Sequence, residues 1–282
     1  MKISKVLIAY DGSECADAAV EDLRRAGLPE KAEVVMLSVV ENKCLREPLA
    51  IGRLEFLAQR ACARIRSLMP GWSVEPRVSF GSAASVVIEK ADEWPSDLII
   101  AGSHGRTGVR KACLGSVSQR LAHEAHCSVR VARCPAAEPG APIRLIIGVD
   151  GSKGAEAAID AVAERQWPRG AEARIVNASW KLSIAASEQV FSRLADWDAG
   201  ENARINRMVE SAAERLRVAG LVTSVVVKEK EPKRLLLSEA ESWGADCVFV
   251  GARGMGGFGQ CLLGSVSSAV AARARCSVEI VR

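Results

Sequence analysis

The strongest constraint on the fold is that the chain repeats itself. The segment KVLIAYDGSECADAA, which begins at residue 5, returns as RLIIGVDGSKGAEAA from residue 144. A second match pairs WPSDLIIAGSHG, from residue 94, with WGADCVFVGARG, from residue 243. Asp11 corresponds to Asp150 and Gly102 to Gly251, so the offset grows from 139 to 149 residues. Two copies of one domain, the second with about ten residues inserted between 181 and 220, account for both offsets.

The boundary between the copies falls in CPAAEPGAPI, residues 134–143. Its three prolines and one glycine favour an extended connector. We therefore predict one domain at 1–134 and a second at 143–282. Each has roughly 140 residues, which is enough chain to bury a core of its own.

Within each copy, short apolar runs alternate with helical patterns. The predicted strands are 5–10, 33–40, 73–79, 97–101 and 128–132, then 143–149, 172–179, 222–228, 246–250 and 277–281. Predicted helices at 14–26, 49–68, 82–94 and 116–126 fill the gaps of the first copy. Such alternation is typical of a parallel sheet with helices on both faces. The sequence thus predicts an α/β protein with two tandem, doubly wound, five-stranded parallel sheets, each an α/β/α sandwich.

Composition excludes several classes of partner. Hydrophobic residues make up 49% of the chain and charged residues 26%, as in ordinary soluble domains. The net charge of +4 is too small and too dispersed to indicate nucleic acid as the main partner. No apolar run approaches the ~20 residues that cross a bilayer, and the first apolar stretch is too short for a signal peptide. We expect a cytoplasmic protein that binds neither nucleic acid nor membrane.

The cysteines and histidines show no metal-site spacing. There are nine cysteines without a CxxC pair, and the histidines are His104, His123 and His126. In a reducing compartment such thiols are expected to be buried or incidental and not paired in disulfides. No metal site is predicted.

The first strand of each copy ends in Asp-Gly-Ser, at 11–13 and 150–152. In an open α/β sheet, ligands bind beyond the carboxyl ends of the strands, where the strand order reverses. The glycine permits a tight turn and the serine can cap the next helix. Asp11 and Asp150 are therefore either turn residues or carboxylates that accept hydrogen bonds from a nucleoside. Their repetition at both strand tips favours the second interpretation.

The fourth strand of each copy ends in the strongest motif, G-x2-G-x9-G-S. Its fixed positions are Gly102, Gly105, Gly115 and Ser116 in the first copy, and Gly251, Gly254, Gly264 and Ser265 in the second. Glycines let backbone N–H groups approach a phosphate without a Cβ in the way. The Gly-Ser pair opens a helix, whose N-terminus offers unpaired N–H groups and the positive end of the dipole. The motif predicts a phosphate site whose serine also caps; the alternative is a flexible loop before an ordinary capped helix.

With these motifs in both halves, the chain resembles the universal stress protein family in a tandem, two-domain form. The family's ATP-binding members carry G-x2-G-x9-G-(S/T) and an Asp at the end of the first strand, and both halves match every fixed position. The resemblance implies a Rossmann-like fold of the adenine nucleotide alpha hydrolase-like type, with ATP as ligand. Mg²⁺ would arrive with the ATP, because no acidic cage is visible in the sequence. It also implies a role in the stress response, with ATP as the ligand of a switch that an unidentified regulatory protein reads.

The resemblance assigns a role to each candidate residue. Asp11 and Asp150 would lie at the adenosine end, and Val39 and Ala178 would meet adenine through their backbones. Gly102 and Gly251 would line the ribose. The phosphates would be held by Gly105, Gly115, Ser116 and Val117 in the first half, and by Gly254, Gly264, Ser265 and Val266 in the second.

The two phosphate loops differ in charge. The first carries His104, Arg106, Arg110 and Lys111, whereas the second carries Arg253 followed by Met255, Phe258 and Gln260. Cations beside a triphosphate add charge-assisted contacts, so we predict tighter ATP binding in the first half. The alternative is that these basic side chains point into water.

No hydrolytic constellation recurs beside both loops, since His104 is replaced by Arg253 in the repeat. We assign no catalytic residues and favour a protein that is not an enzyme. The resemblance nevertheless allows slow ATP hydrolysis or autophosphorylation.

Three other functions are alternatives to an ATP-binding stress protein. Residues 254–259 spell G-x-G-x-x-G, but this run follows a fourth strand and has no counterpart in the first half, which disfavours an NAD-dependent oxidoreductase. An adenylating enzyme would carry a Ser-Gly-Gly-x-Asp-Ser loop after the first strand, which is absent. The third alternative is a nucleotide-independent interaction module with vestigial sites.

The last predicted strand of each half, 128–132 and 277–281, is short and apolar. In the family such edge strands pair between subunits. Here we expect the two halves to pair with each other as an internal pseudo-dimer, which would cover the exposed sheet edges. A homodimer of two chains is a further state that the resemblance allows.

Overall fold

The computed structural model describes residues 3–41, 48–105, 114–133, 140–179, 188–254 and 263–282. Its strands are β1 (Lys5–Ala9), β2 (Glu33–Val40), β3 (Ser73–Phe80), β4 (Leu98–Gly102), β5 (Ser128–Ala132), β6 (Arg144–Gly148), β7 (Glu172–Ser179), β8 (Val222–Glu229), β9 (Cys247–Gly251) and β10 (Ser277–Val281). Its α-helices are α1 (Glu14–Asp22), α2 (Pro48–Leu68), α3 (Ala83–Glu93), α4 (Ser116–Glu124), α5 (Lys153–Ala163), α6 (Glu188–Val218), α7 (Pro232–Trp243) and α8 (Ser265–Arg273).

These strands form one continuous sheet in the order β3-β2-β1-β4-β5-β10-β9-β6-β7-β8. Neighbouring strands are parallel within each half, and each half has the same doubly wound order. The predicted tandem α/β fold is therefore confirmed. The two halves meet where β5 and β10 pair antiparallel, which is the pairing that the sequence led us to expect.

Helices cover both faces of the sheet because successive strand residues point to opposite sides. In β1, Val6 and Ile8 pack with α1 and α2, whereas Leu7 packs with α3 and α4. The second half repeats this, with α5 and α6 on one face and α7 and α8 on the other. The strands β1, β4, β6 and β9 are buried on both faces and therefore read as apolar runs, and this is why the sequence pattern located them.

The inserted residues of the second half lengthen a helix. The helix α6 has 31 residues and its counterpart α2 has 21. A helix accepts such an insertion without disturbing the sheet, because its two ends stay attached to the same strands. The first helix differs from its prediction of 14–26, since α1 ends at Asp22 and a 3-10 turn, Leu23–Arg25, follows it.

None of the helices in the described part of the chain combines the length and hydropathy that a bilayer-spanning helix requires.

The cysteines in the described part of the chain are free thiols: Cys15, Cys62, Cys127, Cys247 and Cys276. Burial raises the pKa of the Cys127 and Cys276 thiols to about 11, which makes both poor nucleophiles at neutral pH. Among the described residues, no group of three or more potential ligands could hold a metal ion.

Candidate functional site

The candidate site lies where the strand order reverses, at the carboxyl ends of β1 and β4 in the first half and of β6 and β9 in the second. Two segments meet there in each half. One is the Asp-Gly-Ser turn, and the other is the stretch that we call the glycine loop, residues 102–105 and its counterpart 251–254. This position at the switch point is the usual ligand site of an open α/β sheet.

The Asp-Gly-Ser turn of the first half is held by its own side chains. The Ser13 N–H donates to Asp11 Oδ1 at 3.0 Å. Gly12 has a φ of 75°, in the left-handed region that glycine adopts without strain. Ser13 Oγ then accepts from the Ala16 N–H at 3.1 Å and caps α1. The turn interpretation of Asp11 is thus correct for one carboxylate oxygen.

The second half builds the same turn with nearly the same distances. The Ser152 N–H donates to Asp150 Oδ1 at 2.9 Å, and Gly151 has a φ of 84°. Ser152 Oγ accepts from the Ala155 N–H at 3.1 Å and caps α5. The helix that follows the first strand of each half is therefore capped at its N-terminus by a serine side chain.

The second oxygen of each aspartate lies against the glycine loop. A Cβ at Gly105 would sit 2.9 Å from Asp11 Oδ2, and one at Gly254 would sit 2.5 Å from Asp150 Oδ2. Ser13 Oγ also lies 3.4 Å from the His104 carbonyl oxygen. The structure therefore brings the predicted aspartates and the second motif glycines together in both halves.

The first glycine of each motif has a packing role that the sequence did not indicate. A Cβ at Gly102 would lie 2.5 Å from the carbonyl oxygen of Cys15, in the first turn of α1. A Cβ at Gly251 would lie 2.3 Å from the backbone of Gly154, in the first turn of α5. Both glycines let a helix backbone approach the end of the strand. Their predicted place beside a ribose stays a prediction.

The last glycine of each motif closes the loop and begins a helix. The Gly115 N–H donates to the Ser103 carbonyl at 2.8 Å, and the Gly264 N–H donates to the Ala252 carbonyl at 2.8 Å. Gly115 and Gly264 are the N-caps of α4 and α8, and no side chain caps either helix within the described residues. The capping role predicted for Ser116 was wrong, because that serine is already the first residue of the helix. The same correction applies to its counterpart, Ser265.

Two serines that the sequence interpretation missed fasten the start of each helix to the strand end. Ser118 Oγ donates to the Gly102 carbonyl at 2.6 Å. Ser267 Oγ lies 3.1 Å from the Ala252 carbonyl and 3.0 Å from the Gly264 carbonyl. The signal was present in the repeated LGSVS at 114–118 and 263–267, of which only the Gly-Ser-Val part was assigned a role.

Val39 and Ala178 lie where the second strand of each half outruns its neighbour. The pairing of β1 with β2 stops at Leu37, yet β2 continues to Val40. In the second half, pairing of β6 with β7 stops at Val176, two residues before Ala178. Backbone groups of both residues therefore border the crevice beyond the first strand, where the resemblance predicts adenine.

Beside these two residues lies a buried polar side chain that the sequence interpretation also missed. Ser38 and Asn177 occupy equivalent positions and are almost completely buried. Among the described residues, Ser38 Oγ and Asn177 Oδ1 lack a hydrogen-bond partner, although Asn177 Nδ2 donates to the Val149 carbonyl at 2.7 Å. A polar residue inside the apolar runs MLSVV and IVNAS was the available signal.

Of the charged residues that distinguish the two phosphate loops, the structure describes His104 and Arg253. His104 Nδ1 lies 3.1 Å from Ser103 Oγ, and its Nε2 is buried without a hydrogen-bond partner in the described part of the chain. The remaining residues of that comparison, Arg106, Arg110, Lys111, Met255, Phe258 and Gln260, lie outside the described residues.

A tyrosine at the end of β1 ties the site to α1. The Tyr10 hydroxyl donates to Asp17 Oδ1 at 2.8 Å. Burial, followed by this carboxylate neighbour, raises the pKa of Tyr10 above its ordinary value, so the phenol stays protonated. This bond holds the first helix against the strand that carries Asp11.

Known proteins with the same architecture identify the family. A family model described as "Universal stress protein family" matches residues 2–133 and 144–282. A universal stress protein of Mycobacterium tuberculosis is 30% identical over 229 residues, which cover 80% of this chain and 73% of the relative. One from Mycolicibacterium smegmatis is 25% identical over 305 residues, covering 98% of this chain and 96% of the relative.

A solved structure shows the same fold over the full length. The crystal structure of a universal stress protein from Archaeoglobus fulgidus matches 100% of this chain and 99% of its own, with a TM-score of 0.70 at 21% identity. The family model, which matches both halves, and the curated relatives together show that the chain belongs to the universal stress protein family.

Proposed function

We propose that the chain binds ATP at both strand-end crevices. The observation that carries this proposal is the pair of helix N-termini at Gly115-Ser116 and Gly264-Ser265, which no side chain caps within the described residues. The N–H groups of a first helical turn need acceptors, and a phosphate supplies them together with negative charge at the positive end of the dipole.

A contrast inside each half supports a ligand as the missing cap. The helices α1 and α5 begin at the same edge of the sheet, and Ser13 and Ser152 close their N-termini. The helices α4 and α8 begin beside them with glycine as N-cap. Because glycine has no side chain, the N-cap residue of α4 and α8 supplies no side-chain acceptor to the first-turn N–H groups, and a ligand can supply one.

The other end of each crevice suits a nucleoside. Asp11 and Asp150 place a carboxylate beside the glycine loop, where it can accept hydrogen bonds from ribose hydroxyls. Ser38 Oγ and Asn177 Oδ1 add polar atoms next to the backbones of Val39 and Ala178. Mg²⁺ would accompany the triphosphate, and no residue is proposed as catalytic. The domain bounds 1–134 and 143–282 stay a prediction.

Fresh protein is expected to carry adenine nucleotide, up to two molecules per chain. The measurement is mass spectrometry of the nucleotide released by heat denaturation, followed by isothermal titration of the emptied protein with ATP and Mg²⁺. Absence of nucleotide together with absence of ATP binding would favour the interaction module with vestigial sites. Retention of NAD without ATP binding would favour a dehydrogenase, and pyrophosphate release with an acid substrate would favour an adenylating enzyme.

We further propose that bound ATP acts as the ligand of a cytoplasmic switch that a regulatory protein reads. A homodimer of the chain remains a prediction from the family resemblance. ATP is expected to slow amide exchange at 102–105 and 114–120, because N–H groups of the first turn of α4 gain acceptors and the bound ligand holds the loop and the helix start together. Hydrogen exchange with and without saturating ATP tests this. Unchanged exchange with proven binding would remove the switch and leave ATP binding intact.

A further inference from the structure

Four buried charges lie on the seam between the two halves, and we call them the seam network: Asp22, Arg130, Arg165 and Glu279. Arg130 is fully buried and holds Asp22 with two bonds, Nε to Oδ2 at 2.5 Å and Nη2 to Oδ1 at 3.2 Å. Its Nη1 lies 3.2 Å from Glu279 Oε2, and Arg165 pairs with the other oxygen of Glu279. The two positive and two negative charges balance.

The central pair of this network lies on a pseudo-two-fold axis. The strands β5 and β10 are equivalent in the repeat and run antiparallel, with Arg130 directly opposite Glu279. The 149-residue offset makes Arg130 and Glu279 equivalent to each other. In this pair of the ladder, each residue lies opposite the residue that is equivalent to it in the repeat. The two side chains nevertheless carry opposite charges.

The outer members of the network also break the symmetry. Asp22 corresponds to Ala161, and Arg165 corresponds to Ala26, at the offset of 139 residues. Arg165 Nη1 donates to the Ala26 carbonyl at 2.7 Å, so the turn that ends the α1 region contacts the turn that follows α5. The first half thus supplies one pair of charges, the second half supplies the complementary pair, and alanines fill the places equivalent to the two outer members.

Two other contacts across the seam obey the symmetry. Arg133 Nη2 donates to the Ala271 carbonyl at 2.7 Å, near the C-terminus of α8. Its counterpart Arg282 Nη2 donates to the Ala122 carbonyl at 2.5 Å, near the C-terminus of α4. A cation at a helix C-terminus is favourable in either direction. These two bonds would form equally well between two like halves, so they stabilise the seam without selecting a partner.

The central pair does distinguish a like half from an unlike one. If β5 met a second copy of β5, two buried guanidinium groups would stand opposite each other. If β10 met a second β10, two buried carboxylates would do so. In either case each charge would keep the partner from its own half, Asp22 for Arg130 or Arg165 for Glu279, but the attraction across the axis would become a repulsion. Like charges directly opposite across an antiparallel pair are destabilising, and burial strengthens the effect because buried charges are screened little.

We infer that the seam network makes β5 and β10 selective for each other, so that each half pairs with the complementary half and rejects the like half of a second chain. The opposite charges of Arg130 and Glu279 therefore determine which half can pair at this strand edge. A homodimer that pairs β5 with β5 or β10 with β10 is then disfavoured.

Three full-length variants test the inference by recreating the like-with-like interfaces inside one chain. The first gives the second half the charges of the first half, through Glu279→Arg, Arg165→Ala and Ala161→Asp. The second makes the converse exchange, through Arg130→Glu, Asp22→Ala and Ala26→Arg. The third combines all six substitutions. Position 130 is then negative and position 279 positive, so opposite charges again face each other, with the two halves exchanged; we call this the mirrored variant.

Each of the first two variants is expected to lower the urea midpoint of unfolding by about 1 M or more. The mirrored variant is expected to regain at least half of either loss. Losses that simply add in the mirrored variant would overturn the inference, and so would like-charged variants with the wild-type midpoint.

A matched control uses the symmetric bonds. Arg133→Met, Arg282→Met and the double variant should show additive losses, because these two contacts are separate and alike. If the mirrored variant fails to fold, the same urea midpoint is measured for Arg130→Gln, for Glu279→Gln and for their double variant. The double variant should then lose less than the sum of the single losses, and additivity would overturn the inference.

Discussion

Replacing Arg130 with methionine is expected to lower the free energy of unfolding by about 3–5 kcal/mol. Methionine fills much of the volume but leaves Asp22 without its two guanidinium bonds and Glu279 with only Arg165. Asp22 is 5% exposed and Glu279 1%, so water cannot replace the lost partner. The variant keeps one uncompensated negative charge in the seam, and this unpaired charge accounts for the size of the loss.

Urea unfolding followed by circular dichroism measures the loss. The matched control is Arg120→Met, which also removes an arginine from a carboxylate pair, since Arg120 bonds to Glu124 at 2.8 Å. That pair is solvent-exposed, so no resolvable change is expected from the control. Equal behaviour of the two variants would mean that the buried network contributes nothing beyond a surface ion pair.

The seam network shows where sequence interpretation reaches its limit. The run SVRVA predicts a short apolar edge strand, and nothing in its pattern indicates a role for the arginine. The partners of Arg130 come from 108 residues before it and 149 residues after it. The repeat predicts that the two edge strands meet, but only the register of their pairing places Arg130 opposite Glu279.

The place of the motif residues at the strand ends could be predicted from the sequence because each motif is local. A loop that follows a strand stays at that strand's end, so two repeated motifs defined two crevices. The roles that the sequence did not predict depend on contacts between residues that are far apart in the chain, or on the exact residue at which a helix begins. Gly102 is needed for the backbone of Cys15, which lies 87 residues earlier in the chain, and no local pattern reports that contact. The N-cap of α4 is likewise Gly115, one residue before the serine predicted to cap, so Ser116 is the first residue of the helix.

Replacing both closing glycines, Gly115→Val with Gly264→Val, is expected to weaken ATP binding by about 100-fold or more. A Cβ at Gly115 would lie 3.2 Å from His104 Cα and from the Ser103 carbonyl oxygen, so the loop backbone must shift relative to the helix start to admit the valine. Two lost charge-assisted hydrogen bonds of about 1.5–3 kcal/mol each account for that factor. Gly115 has φ −64° and ψ 151°, which valine also adopts, so the fold should survive.

The single variants separate the two sites, and titration calorimetry measures what remains. Gly115→Val should leave one ATP per chain in the second half, and Gly264→Val should leave one in the first half. The affinity left by Gly264→Val is expected to be higher, because the first loop carries more cations. Equal residual affinities would remove this asymmetry while leaving two working sites.

The matched control is Gly52→Val, in α2, where a Cβ would have no atom within 4 Å. It should bind ATP with the affinity and stoichiometry of the wild-type chain, which shows that a glycine-to-valine change alone does not disturb the protein. Circular dichroism of the double variant must match the wild type for its result to count as a change in binding. A folded double variant that still takes up two ATP molecules at wild-type affinity would show that the uncapped helix starts do not hold the phosphates.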